Sequence, residues 1–514
     1  MSNVPILSNT TSALFNTLSE NSSLDNYTYR LNQPWPNNSK SKIHVLPNQP
    51  MAFNSQTTFR IPRFGLLQAA ALKVQINLGD NSGDQINVPD YPYSNQPLAV
   101  NSTSKLISDD FALFLCSRIA LVSHTREIEV LTPYGSLAKY YALPREQQIA
   151  LSDAMQRGFD PRGGGDMMNV VPAQQPKING IATLNPAPVG FGTVYKDQSV
   201  ITYYIPLFFS FAAHLHSAID SSFLEELEIV CDVAPQTDLM SHDLLPGTSA
   251  GAPNAPVGCT IQSAEMLLYF HNLPNKQQRA LQNTQYNLRS SQPLTVLYSN
   301  CYEETPVSFN PGFGANQGHP AVQDNYTTVT LNLSCKHLIY QTIIACELNP
   351  NLIMSENRRA LRGPNSQADI VSAELFMSGR SVWKTTTVES CCLEAGLLHG
   401  CNPRGRERGI KGGQGSDGVQ NDTRTLTISW TNDMRKALAE MSGALSLKGA
   451  SSPQLVLTIR PVVATWDGTI PNYNRPFNLQ TDQISTHTVY VNHLFYSATS
   501  FSGADGRISQ GLNL

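Results

Sequence analysis

The sequence predicts an all-β protein of two consecutive sandwich units, with long loop insertions and a few short helices. Three observations predict it. Short apolar runs alternate at period two and are punctuated by Gly, Pro, Asn and Asp. The 514 residues exceed the roughly 250–300 at which one hydrophobic core stops growing. The landmarks of the first half recur in the same order in the second.

Residues 1–50 are rich in Asn, Ser and Thr with little periodicity and read as an N-terminal arm. The first unit follows over 51–236. Leu72, Val74, Ile76 and Leu78 alternate against Lys73, Gln75 and Asn77, a strand closed by the turn residues 79–84. Those turn residues loosely resemble a calcium loop but lack its spaced ligands and terminal Glu. Phe111 to Cys116, Ile119 with Leu121, and Ile128 with Val130 read as further strands, ended by Tyr134-Gly135. Ser136 to Arg157 is the best helical stretch, interrupted by Pro144. Gln198 to Ile219 carries no Asp, Glu, Lys or Arg and is long enough to span a bilayer. Its Pro206, Ser210, His214 and His216, among aromatic and β-branched residues, favour strand plus turn. Leu227, Ile229, Cys231 and Val233 form a half-buried strand.

A Pro- and Gly-rich stretch, 237–258, reads as a linker, and 259–503 as the second unit with 504–514 as a tail. This unit is expected to open with Ile261 to Phe270 and continue through Val329 to Leu333, Ala373 to Arg380, Leu426 to Trp430 and Leu455 to Ile459. The landmark pairs Gly135 and Gly379, Tyr204 and Ile428, and Leu227 and Leu455 give offsets of 244, 224 and 228 residues, which suits a duplicated sandwich. Connections of about 158–198, 272–325 and 384–422 are far longer than hairpin loops and are expected to bear interfaces.

Charged residues make up 14% of the chain, against about 25% in ordinary globular domains. A large chain so short of charge is expected to cover much of its outside with partners or with neutral polar groups. The net charge of −4 provides no field for steering toward nucleic acid, so no sequence-specific nucleic-acid partner is expected. The nine cysteines show no regular spacing and the opening MSNVPILSNTTS has no signal-peptide pattern. Reduced thiols in cytoplasm or nucleus are therefore expected, with the sequons at Asn9, Asn101 and Asn325 unmodified.

No residues are predicted to be catalytic, cofactor-binding or metal-binding, and no cofactor is expected. Gly413-Gln414-Gly415-Ser416-Asp417-Gly418 matches a dinucleotide pattern, yet it follows an Arg- and Gly-rich loop and opens no helix. Arg404, Arg406, Arg408 and Lys411 form a local basic cluster that reads as solvated loop or subunit contact, with polyanion contact as the alternative. Cys391, Cys392, His399 and Cys401 lack the paired spacing of a structural zinc site and read as buried thiols. His214 and His216 share a strand face and read as packed histidines.

In pattern, these residues resemble the double jelly-roll major capsid proteins of the adenovirus-like lineage, which includes large eukaryotic DNA viruses, virophages and membrane-containing phages. Ile119 to Gly135 and Ser372 to Arg380 are similar to its strand-then-glycine segments. Tyr203 to Ser210, with Leu224 to Val233 after it, resembles the closing part of its first barrel. His487 to Tyr496 resembles the terminal strand of its second barrel, though it has His493-Leu494-Phe495-Tyr496 where many relatives carry Asn and Arg. The resemblance implies two eight-stranded jelly rolls, a homotrimer of pseudo-hexagonal outline, and an icosahedral shell enclosing the genome. It implies as partners neighbouring capsomers, minor capsid or penton proteins, and an internal membrane reached by the N-terminal arm. It places the protein in the virion, made or assembled in host cytoplasm or nucleus. Three rivals differ from it: a secreted β-sandwich that binds glycans, an enzyme on a β scaffold, and a single jelly-roll capsid protein with very large loops.

Overall fold

The computed structural model describes residues 39–77, 104–107, 111–124, 126–143, 145–155, 193–195, 200–212, 219–221, 226–243, 259–272, 294–309, 327–348, 353–354, 358–359, 369–385, 425–431, 443–460, 487–502 and 507–513. Among the described residues, sixteen of the strands make the four main sheets of two sandwiches, and short strands such as Arg507–Asn513 extend them. In the first they are β1 (Ser39–Val45), β2 (Gln56–Arg60), β3 (Leu66–Asn77), β4 (Cys116–Ser123), β5 (Arg126–Leu131), β6 (Val200–Leu207), β7 (Leu227–Val233) and β8 (Thr260–Asn272). In the second they are β9 (Leu294–Glu303), β10 (Thr327–Asn332), β11 (Leu338–Leu348), β12 (Asp369–Met377), β13 (Arg380–Thr385), β14 (Leu426–Ser429), β15 (Gln454–Arg460) and β16 (His487–Ser502).

The sheets of the first sandwich run β1-β8-β3-β6 and β2-β7-β4-β5; those of the second run β9-β16-β11-β14 and β10-β15-β12-β13. Adding eight to each strand number of the first therefore gives the second. All these pairings are antiparallel, which suits half-buried strands with apolar and polar residues in alternation. In β3, Leu72, Val74 and Ile76 are buried while Lys73 and Gln75 reach outward, and β7 repeats this with Leu227, Ile229, Cys231 and Val233. The correspondence extends to irregularities. β5 has an extra residue at Ile128, between Glu129 opposite Leu121 and Glu127 opposite Val122. β13 has one at Val382, between Trp383 opposite Leu375 and Ser381 opposite Phe376.

Several elements correct the sequence reading. Phe111 to Phe114, expected as strand, is a short buried helix, α1 (Phe111–Phe114), and the strand begins only at Cys116. Tyr134-Gly135 does not end a strand but lies in the first turn of helix α2 (Pro133–Tyr141); α3 (Arg145–Ala154) continues beyond the expected break. The hairpin counterpart of Ser378-Gly379 is accordingly at His124, where the chain again takes positive φ, and not at Gly135. Ile261 to Phe270 does not open the second unit: it lies in β8, hydrogen-bonded between β1 and β3, and closes the first. β1 lies inside the stretch read as arm, and β9 inside the stretch read as a loop. Part of the supposed linker, Met240–Asp243, pairs with Ser104–Ile107, itself paired with Thr193–Tyr195. Gln198 to Ile219 is strand β6 followed by a turn of 3-10 helix at Ser210–Ala212, as expected, within the described part of that stretch. Among the described residues no helix is long and apolar enough to cross a membrane.

Each sandwich has its own buried cluster. The first contains Phe59, Leu72, Phe111, Leu121 and Ile229, with Phe111 and Tyr203 rings 4.7 Å apart. It also takes in Tyr340, Ile343, Leu494 and Tyr496 from β11 and β16 of the second. The other faces of those strands, with Ile339, Ile344, Val489 and Val491, fill the second core. The β9-β16-β11-β14 sheet is thus covered on both sides. Leu72 is fully buried in the first core, and Leu72→Ala is expected to destabilise the protein by about 2–5 kcal/mol, read as a lower unfolding midpoint in urea.

Candidate functional site

The place where the two sandwiches meet is the most elaborate polar site among the described residues, and α2 builds one end of it. Thr132 caps the helix from an extended conformation (φ −104°, ψ 161°), its Oγ1 accepting from Gly135 N at 3.0 Å, and Pro133 occupies the first turn, where its missing N–H costs nothing. The same hydroxyl donates to Asn492 Oδ1 of β16 at 2.8 Å. Tyr134 follows, its hydroxyl bonded to the Glu347 carboxylate of β11 and its ring between Phe114 at 5.3 Å and Tyr490 at 5.8 Å. Gly135 sits where the helix touches β9. A Cβ there would lie 2.8 Å from Thr132 Oγ1 and 3.2 Å from Cys301 Cβ, and would overlap Cys301 Sγ. Only glycine permits this approach.

The other end is organised by an ion pair. Glu129 on β5 is fully buried and its carboxylate accepts from Lys139 Nζ at 2.9 Å, from Ser210 N at 2.9 and 3.0 Å, and from Ser210 Oγ at 2.8 Å. Lys139 projects from the last turn of α2 and has three N–H donors. It directs them to Glu129, to Phe208 O at 3.0 Å and to Ser299 O of β9 at 3.1 Å, so one ammonium ties three segments. Ser299 N donates to Ser210 Oγ at 2.7 Å, and Ser299 Oγ is bonded to the Tyr340 hydroxyl. Beside it Val130 N on the outer edge of β5 donates to Asn300 Oδ1 at 2.9 Å. Burial holds the Tyr340 hydroxyl and the Cys301 thiol in their neutral forms.

A second buried network lies within the second sandwich. Glu304, just past β9, accepts from Ser334 N at 2.8 Å, Ser334 Oγ at 2.6 Å and Cys335 N at 2.9 Å, which fastens the turn between β10 and β11. His493 Nε2 is 3.3 Å from the same carboxylate without the alignment of a hydrogen bond, and its Nδ1 is 2.9 Å from Thr342 Oγ1. Burial alone would raise the Glu304 pKa; the His493 ring and the Ser334 and Cys335 donors outweigh it and hold the carboxyl at about 2.

Chemically, both networks fix geometry. Their carboxylates are saturated by donors, and the hydroxyls of Ser210 and Ser299 are committed to bonds inside the seam. Among the described residues no group of three His, Cys, Asp or Glu side chains could hold a metal ion. The basic cluster Arg404, Arg406, Arg408 and Lys411, the glycine pattern 413–418, the Cys391, Cys392, His399 and Cys401 set, His214, His216 and the turn 79–84 lie outside the described residues. None of the seam residues stood out in the sequence as a site. A local signal that could have found the start of α2 is Thr132-Pro133, a helix cap followed by a proline suited to the first turn, but it went unread.

Gly135→Ala is expected to destabilise the protein by about 1–3 kcal/mol through overpacking against Cys301, with partial recovery in Gly135→Ala/Cys301→Ala, read by thermal unfolding. Glu304 is ionised in the fold down to about pH 2 but would protonate near 4.5 when unfolded. Its stabilisation is thus fully present above pH 4.5 and lost as pH falls from 4.5 toward 2. Removing the carboxylate with Glu304→Gln is expected to flatten that part of the stability–pH curve, by an amount of order 3 kcal/mol.

No protein-family model and no curated protein matches the sequence. Solved structures are similar in fold. The cryo-EM structure of the Sputnik virophage is 10% identical with a TM-score of 0.53, over 95% of this chain and 91% of that one. The Faustovirus major capsid protein is 11% identical with a TM-score of 0.52, over 94% of both chains. A quasi-atomic model of the PBCV-1 virus capsid is 11% identical with a TM-score of 0.51, over 94% of this chain and 99% of that one. With two sandwiches of identical strand order, matched end to end by these structures, the chain has the double jelly-roll fold.

Proposed function

We propose that this chain is a viral major capsid protein, a homotrimer of pseudo-hexagonal outline that tiles an icosahedral shell around a genome. The carrying observation is the full-length likeness to capsid structures of PBCV-1, Faustovirus and Sputnik. The seam supports the same reading. Two sandwiches joined by a saturated ion pair and a close-packed glycine form one stiff block, which is what repeated tiling requires of its unit. The function is geometric, with no catalysis: two sandwiches per chain and three chains give six similar edges. The protein then resides in the virion, its partners being its own copies, neighbouring capsomers, minor capsid or penton proteins and, through the N-terminal arm, an internal membrane.

The test is the mass of the purified protein by light scattering, with negative-stain imaging of the same sample. A particle near three times 56.3 kDa with a hexagonal outline is expected; a monodisperse monomer at all concentrations would overturn the proposal.

A further inference from the structure

The polar groups of the seam are saturated around Lys139, but on the β14 side of the same sheet they are not. The chain through β14 carries a hydroxyl at every second position, Thr425, Thr427, Ser429 and Thr431. Leu426 and Ile428 between them pack in the second core, so the hydroxyls occupy the opposite face, the one that a half-buried strand ordinarily gives to water. All four are instead buried, at 8% exposure or less. A row of hydroxyls inside the molecule has to find its hydrogen bonds there.

Register brings two more side chains to this face. Ile343 of β11 stands opposite Thr427 on one side and opposite Asn492 of β16 on the other. Gln341, two residues before Ile343 and on the same face, stands opposite Ser429 and Leu494, which makes Thr427 and Asn492 its diagonal neighbours. Ile343 and Leu494 pack in the first core, so this is the face turned toward the first sandwich. Gln341 and Thr427 are each 2% exposed and Asn492 is fully buried. Asn492 uses its Oδ1 to accept from Thr132. Its Nδ2, with Gln341 Oε1 and Thr427 Oγ1, has no hydrogen-bond partner among the described residues.

Three such atoms around one isoleucine form a matched set. Asn492 Nδ2 only donates, Gln341 Oε1 only accepts, and the Thr427 hydroxyl does either. None carries a formal charge, so they suit a neutral ligand that both donates and accepts and is small enough to lie between side chains of adjacent strands. We infer that this part of the seam is a binding site for ordered water, with a water bridging Gln341 Oε1 to Asn492 Nδ2, to Thr427 Oγ1 or to both. Such a water accepts from Asn492, donates to Gln341 and bonds Thr427 in either sense, which falls within the two to four bonds that buried waters make. The two sandwiches then touch directly at Lys139 and Gly135 and through solvent beneath β14.

The test is a crystal structure of the full wild-type chain at a resolution that shows ordered solvent, together with two variants. Density for a water within hydrogen-bond reach of at least two of the three atoms is expected. Thr427→Val keeps the shape of the side chain and removes the hydroxyl. If that hydroxyl holds a water, its loss lowers the thermal midpoint; a dry, unsatisfied hydroxyl would raise the midpoint when removed. A fall of roughly 2–4 °C is expected. Gln341→Met is expected to lower the midpoint less in the Thr427→Val background than alone, because the two residues share a water. An ordered map without that density, or with a protein group bonded to the three atoms in its place, overturns the inference. So does a Thr427→Val midpoint at or above that of the wild type.

Discussion

The Lys139 ammonium is the point on which the two-sandwich block depends. A buried charge is tolerated only when it is paired and its donors are used, and here a carboxylate and two carbonyls take the three N–H groups. Because those acceptors belong to β5, to the segment after β6 and to β9, the charge cannot be satisfied unless all three are in place. An apolar seam would tolerate sliding of one sandwich against the other. A saturated polar one fixes a single setting, and Gly135 brings the helix close enough for that setting to be reached.

How far the fold could be read from the sequence follows from where each strand faces. β3 and β7 face a core on one side and solvent on the other, so their alternation was plain. β1 escaped notice because it is an edge strand whose outward positions are Lys40, Lys42 and His44, which made it blend with the polar stretch before it. β9 escaped because its free edge meets the other sandwich at Ser299 and Asn300, so polar residues occupy covered positions and the hydrophobic period fails. β8 was recognised as a strand but given to the wrong unit. Sequence order placed it after a Pro- and Gly-rich stretch, whereas pairing placed it between β1 and β3.

The seam itself was nearly invisible in the sequence for a related reason. Glu129 reads as the outward member of an alternating strand, and Lys139 as a solvated residue on a helix. Only the approach of β9, some 160 residues further on, turns them into a buried pair. Glu304, just past β9, and His493 on β16 are likewise far apart in sequence and carry no local motif. Non-local pairing of this kind leaves no spacing to detect, in contrast with the cap at Thr132-Pro133, where cause and effect lie within a single turn.

The bulges at Ile128 and Val382 have a consequence for life at high concentration. A regular edge strand offers an unbroken row of N–H and C=O groups that any stray strand can extend, which is how β-proteins precipitate or grow into fibrils. An extra residue interrupts that row and adds local twist, so the β13 edge is a poor template for a generic strand. The irregularity thereby guards the edge against indiscriminate strand addition when identical chains are crowded together.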